Sequence, residues 1–308
     1  MYFVIAILQC LLLVALAPLV SGLSRWMRAK MHTRKGPPIM QDYYDLAKLF
    51  KRQDLQLESS TFISRIMPAL FLGTILVIAC GVPMITRLSP IPVLGDVITI
   101  IYLMALPRFF FALAGVDRSN PYAGVGSVRE LLIGVLVEPS MMLALLATAV
   151  ITATMNVGEM GMMISTLSVP YPVATIMAAI AFAASCYIEL GKLPYDMAEA
   201  EQELQEGPLA EYSGPSFAII KLALSCKQLL VVSLFMSIFL PFGSAVELTP
   251  IALLIGLAVY LVKLFIAVEI CAVIENTVSR VRYKYLGSQT WAVVGIALVA
   301  FVFVVIGI

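Results

Sequence analysis

Histidine, clustered cysteine and charge are what this chain is short of. His32 is the single histidine among 308 residues. The five cysteines, Cys10, Cys80, Cys186, Cys226 and Cys271, lie far apart and form no Cys-x-x-Cys pair. Zinc, nickel and iron–sulfur sites need clustered Cys or His ligands, so no metal site and no catalytic centre is expected on this chain alone. The cysteines read as small packing residues in apolar runs. Charged residues amount to 13%, against about 25% in an ordinary soluble protein. With 61% hydrophobic content and a mean hydropathy of +0.99, the chain reads as embedded in a lipid bilayer. No nucleic-acid partner is expected. The first apolar run has no basic segment before it, its first charge being Arg25. It reads as an uncleaved helix rather than a signal peptide.

What is present in quantity is apolar sequence in lengths that span a membrane. Stretches of about 20 apolar residues are read as spanning helices, and eight fit: about 2–23, 67–86, 96–114, 131–153, 173–190, 219–240, 250–273 and 290–307. The expected architecture is all-α, a single polytopic membrane domain over 1–308. Charge alternates sharply between its loops. Seventeen Lys and Arg fall on one set, including nine in 24–66, against Arg87 alone on the other. By the positive-inside rule the basic loops face the cytoplasm and both termini face out. No internal repeat or low-complexity segment is visible.

Two cytoplasmic loops stand out. Loop 24–66 is basic, and Gln41–Arg52 within it reads as an amphipathic helix. Tyr43, Leu46, Ala47 and Phe50 make its apolar side, with Asp45, Lys48 and Arg52 opposite. Such a helix lies on the membrane surface or against a partner. Loop 189–218 is acidic: Asp196, Glu199, Glu201, Glu203, Glu206 and Glu211 fall within 16 residues, with no Lys or Arg between Lys192 and Lys221. Pro194 and Pro208 bracket a helix-forming run that Asp196 would cap, placing Glu199, Glu203 and Glu206 at i, i+4 and i+7 on one face. Crowded carboxylates suit passing or storing protons; a solvated acidic loop is the plain alternative. The 115–129 connection is rich in Gly, Asn and Pro. It reads as a tight connector or as a place where a partner's backbone approaches closely.

Ionisable residues within the spans face a bundle interior or water, because each costs at least about 2.5 kcal/mol against lipid. Glu138, Lys227, Lys263 and Glu269 are of this kind, with Glu275 at a helix end. They belong either to a proton path or to internal ion pairs such as Glu138–Lys227. Lys263 and Glu269 are six apart, about 240° round one helix, and cannot pair directly.

Specific motifs then accumulate. Lys192–Leu204 (KLPYDMAEAEQEL) is followed by Glu211-Tyr212-Ser213-Gly214, with Arg34-Lys35-Gly36-Pro37, Gln41-Asp42 through Lys51, Ser127–Glu130 and Glu138-Pro139 elsewhere. Together these resemble the membrane subunit family that includes subunit 1 of respiratory complex I. The likeness runs over nearly the whole chain. It is similar above all to the branch in formate hydrogenlyase and hydrogenase-4, the group 4 nickel–iron hydrogenases. The complex I branch carries A-G-Y-H before E-Y-S-G and a Glu beyond it, where this chain has Gln205–Leu209 and then Lys221 and Lys227.

The resemblance implies an eight-helix subunit of the inner membrane, without a redox group of its own. Its partners would be the hydrogenase large and small subunits and iron–sulfur subunits, which carry the nickel–iron centre and iron–sulfur clusters, together with antiporter-like membrane subunits. Proton-path candidates are Glu138, Glu199, Glu201, Glu203, Glu206, Lys227, Lys263 and Glu269. Docking or cavity candidates are Arg34, Asp42, Lys48, Arg129, Asp196, Glu211 and Tyr212. The alternative within the family is a quinone-reactive subunit of a complex I-type NADH dehydrogenase. A stand-alone transporter would call for inverted repeats or matching broken helices, and neither is visible.

Overall fold

The computed structural model describes residues 2–55, 60–118, 120–166, 170–197 and 201–307, the side chains of Glu201 and Gln202 excepted. Eight helices among them are long and apolar enough to cross a bilayer. They are α1 (Tyr2–Met31), α3 (Phe62–Gly81), α4 (Val97–Asp117), α5 (Pro121–Thr152), α7 (Pro172–Glu189), α9 (Gly214–Phe239), α10 (Pro250–Thr277) and α11 (Tyr283–Ile306). Three shorter ones lie between: α2 (Gln41–Phe50), α6 (Val157–Ser165) and α8 (Glu201–Leu204). No strand occurs among the described residues.

Burial orders the bundle. In α9, 67% of the most apolar window is buried, so this helix is apolar nearly all round and forms the axis. It touches α3, α1, α7, α6 and α2. On one flank α3, α4, α5, α7 and α11 pack in succession; on the other α1 packs with α10. A continuous core runs through these contacts, with Met67, Ile75, Phe182, Leu229 and Leu234 fully enclosed.

Polar side chains start several helices. Asp96 accepts from the backbone N–H of Ile98 and Thr99, Asn120 from Tyr122, Asn156 from Gly158 and Thr249 from Ala252. Each such cap stabilises its helix by about 1 kcal/mol.

Three sequence expectations change. The connection expected over 115–129 shrinks to residues 118–120, because Asn120 caps and Pro121 occupies the first turn of a 32-residue α5. Arg129 and Glu130 therefore sit on a helix. The acidic stretch does not form one long helical face: α8 ends at Leu204, and Gln205 and Glu206 take positive φ (49° and 68°) ahead of Gly207-Pro208. Glu203 and Glu206 thus leave the expected i, i+3 alignment, and Asp196 pairs with Arg280 at 2.9 Å. Finally, α2 is rotated from its expected face. Asp42, Tyr43, Asp45, Leu46 and Leu49 are half-buried, whereas Ala47 and Phe50 are exposed. Polar anchoring decides this: Asp42 pairs with Arg25 of α1, Tyr43 donates its hydroxyl to the Ala15 carbonyl, and Asp45 accepts from Gln41 at 3.0 Å.

Candidate functional site

Five charged side chains from four helices meet inside the bundle. Arg108 of α4 is 5% exposed at its side chain, and three carboxylates surround it. Glu138 of α5 lies 2.6 Å from Nη1, Glu130 of α5 lies 3.6 Å from Nε, and Glu189 at the end of α7 contacts Nη2. Lys227, from the central helix α9, places Nζ 2.9 Å from Glu189 and 3.8 Å from Glu130. Glu130 and Glu138 are eight residues apart on α5, about 80° round the helix, so both can address one guanidinium.

Gly134 lies between them in sequence, and the Arg108 side chain occupies the space a Cβ would need. A larger residue there would push the guanidinium out of place. One turn from Glu189, the Ser185 hydroxyl meets that of Ser140 at 2.7 Å, extending the polar lane between α5 and α7.

The charges do not balance. Arg108 and Lys227 bring two positive charges, and Glu130, Glu138 and Glu189 bring three negative ones. One added proton makes the buried set neutral. A buried ionic group without compensation is costly, and Arg108 and Glu189 are the most enclosed members of the set.

The cluster opens on a small cavity of ≈ 50 Å³ walled by Arg108, Glu130, Glu189, Lys227, Asp196 and Gln228. Gly191, Asp196 and Gln228 also wall a cavity of ≈ 430 Å³ at the basic end of the bundle, lined by Arg28, Lys192 and Glu275 among others. There Glu275, 3% exposed at its side chain, receives Arg28 at 2.7 Å and Lys192 at 3.3 Å. A further cavity of ≈ 230 Å³ lies between α1, α2 and α9. Among the described residues no group of three His, Cys, Asp or Glu side chains is arranged to hold a metal ion.

Of the residues singled out from sequence, Glu138 and Lys227 enter the buried cluster. They do not pair with each other; Arg108 and Glu189 stand as their partners. Glu206 lines the ≈ 430 Å³ cavity. Glu203 pairs with Arg129 at 2.9 Å near the surface, and the Arg129 guanidinium lies 5.6 Å from the Tyr283 ring. Glu201 opens α8, and Glu199 lies outside the described residues. Asp42 and Asp196 are held by Arg25 and Arg280, whereas Arg34 and Lys48 are exposed. Glu211 accepts from the Asn120 amide at 2.6 Å.

Tyr212 is buried, donates to the Ser64 carbonyl at 3.0 Å and carries the Arg118 guanidinium 3.4 Å above its ring. Burial pushes its hydroxyl up to about 12. Lys263 and Glu269 are absent from the cluster: Lys263 donates to the Leu240 carbonyl at 2.6 Å, and Glu269 is exposed on α10.

Sequence reasoning missed the centre of the site. Arg108 counted there only as one of the seventeen basic residues of the cytoplasmic set, Glu130 only as part of a motif, and Glu189 not at all. The capping signal at Asn120-Pro121 would have put Glu130 on a helix with Glu138. No comparable signal ties Arg108 to Glu189 across 81 residues.

Comparison with known proteins places this geometry in context. The family model described as NADH dehydrogenase matches residues 3–306. Hydrogenase-4 component C of Escherichia coli K12 is 45% identical over 310 residues, covering 100% of this chain and 98% of that protein. Formate hydrogenlyase subunit 4 of the same organism is 41% identical over 296 residues, 96% of each. Among solved structures, a chain of the membrane-bound sulfane sulfur reductase, an archaeal respiratory membrane complex, shares the fold at a TM-score of 0.87, with 24% identity over 98% of both chains.

Proposed function

The chain belongs to the NADH dehydrogenase family, and from that premise we propose that this multi-pass membrane protein is the membrane subunit of a formate hydrogenlyase-type hydrogenase complex. Full-length similarity to hydrogenase-4 component C and formate hydrogenlyase subunit 4 supports that branch. On this reading the protein sits in the inner membrane with its basic end towards the cytoplasm and both termini outside. That end receives the soluble module, whose large, small and iron–sulfur subunits hold the nickel–iron centre and the clusters. The acidic stretch through Glu199, Glu201, Glu203, Glu206 and Glu211, with Arg34, Lys48 and Arg129, forms the docking surface. Antiporter-like subunits continue the membrane arm.

The buried five-charge cluster carries the mechanistic part of this reading. A proton enters from the ≈ 430 Å³ cavity, passes the shared wall at Asp196 and Gln228, and is held among Glu130, Glu138 and Glu189. Arg108 and Lys227 supply the two positive charges that the three carboxylates share. Glu138 is the most open member, 35% exposed at its side chain, and passes the proton onward.

The test is Glu138→Gln in the whole complex, with assembly checked by co-purification. Donor-driven hydrogen evolution by sealed membranes should acidify the outside with the native chain and not with the variant. Unchanged acidification would remove the cluster from the path. The cavity between α1, α2 and α9 favours a second reading, a quinone-reactive subunit, and strong inhibition of electron flow by a quinone-site inhibitor would select it.

A further inference from the structure

Glu269 was expected inside the bundle, yet it points away from it. Its helix, α10, is the least covered of the eight spans, with 22% of its most apolar window buried. The inner side of α10 is accounted for: Leu264, Val268, Ala272 and Glu275 are buried where the helix packs beside α1. On the outer side Val262, Phe265, Ile266, Ile270 and Val273 are exposed. They stand at i−7, i−4, i−3, i+1 and i+4 from Glu269 and form one stripe around it.

Glu269 makes no ion pair or side-chain hydrogen bond with a described residue. It lies eight residues before the end of α10 at Thr277, about 12 Å along the axis. An acid at that depth, ringed by apolar side chains, is strongly disfavoured against acyl chains. Among the described residues no cation is offered to it. Lys263 is held at the Leu240 carbonyl towards the other end, and Arg28 and Lys192 are both engaged with Glu275 on the inner face.

We propose that a membrane-spanning helix of another subunit covers this stripe and presents a lysine or arginine at the depth of Glu269. The inference rests on the reading above that the chain works within a membrane complex. Charge complementarity selects the occupant: a lipid tail or a wholly apolar helix would leave the acid unmatched. An apolar stripe with one ionic contact gives both packing and axial register between two spans.

The experiment places a photo-crosslinking side chain at Ile266 or Val273, on either side of Glu269, in the whole complex in native membranes. The expected adduct joins one distinct membrane protein at a hydrophobic segment with a Lys or Arg within one turn. Glu269→Lys should lower its yield by about tenfold or more, the scale of losing a desolvated charge pair. Changing the mapped basic residue to Glu in the same cells should restore it. Glu269→Gln, which keeps size and shape, should lower the yield while the amount of chain stays constant. Adducts to lipid only, to a second copy of this chain, or to a segment without a basic residue would overturn the proposal, as would a yield indifferent to Glu269→Lys. The same purification reports on the reading beneath it. Lipid-only adducts with the redox subunits still co-purifying sink this inference alone, whereas a chain recovered without any other subunit sinks both.

Discussion

Glu189 ends α7 with 1% of its side chain exposed and faces both buried cations, Arg108 and Lys227. Replacing it with Leu leaves Lys227 without its 2.9 Å partner and Arg108 short of one of three. Breaking a buried pair from one side costs about 3–5 kcal/mol. Glu189→Leu should therefore lower the thermal midpoint of the purified complex far more than Glu203→Leu, whose partner Arg129 is 22% exposed. Equal midpoints would show that the buried set does not hold the bundle together.

Tyr212 makes a different residue-scale prediction. Its hydroxyl is raised from 10.0 to about 12, so the folded chain holds this proton more tightly than the unfolded one. The associated stability is complete below pH 10 and is lost as pH rises through about 12. Tyr212→Phe removes the titration. The variant should show a flatter decline of stability than the native protein between these pH values, followed by denaturant unfolding.

At the scale of elements, the α4–α5 turn controls how the acidic segment meets the bundle. The Asn120 side chain caps α5 through its oxygen and donates through its nitrogen to Glu211. Asn120→Ala should cost about 1 kcal/mol through the cap. It should also raise the rate of proteolysis around 205–213, since the same change frees Glu211; an unaltered cleavage pattern would count against this coupling.

The same element explains what hydropathy misses. Spanning a bilayer takes about 20 residues, but α5 has 32 and α1 has 30. Hydropathy marks only the lipid-facing part of such a helix, so all eight spans were legible while α3, α5, α9 and α11 began earlier than expected. Gly124 and Gly126, taken for turn formers, lie inside α5. In the acidic segment, the run bracketed by Pro194 and Pro208 suggested one helix, but the positive φ angles of Gln205 and Glu206 end it. Within the site, Glu138 and Lys227 stood out because they interrupt apolar runs. Arg108 and Glu189 sit near the ends of such runs, where charge is ordinary, and only packing makes them central.

For the whole molecule, the concentration of Lys and Arg at one end gives a direct test of orientation. Reporters that work only outside the cytoplasm should be active when fused at either terminus and silent when inserted near Gly191. An active reporter at that internal position would reverse the orientation and remove the docking surface from the cytoplasm. The buried cluster also bears on biogenesis, because its members emerge from the ribosome in two instalments. Arg108, Glu130 and Glu138 arrive first on the α4–α5 hairpin, and Glu189 and Lys227 follow on α7 and α9. Each instalment contains both signs of charge, so the translocon can release a partly neutralised hairpin into lipid before the next is synthesised.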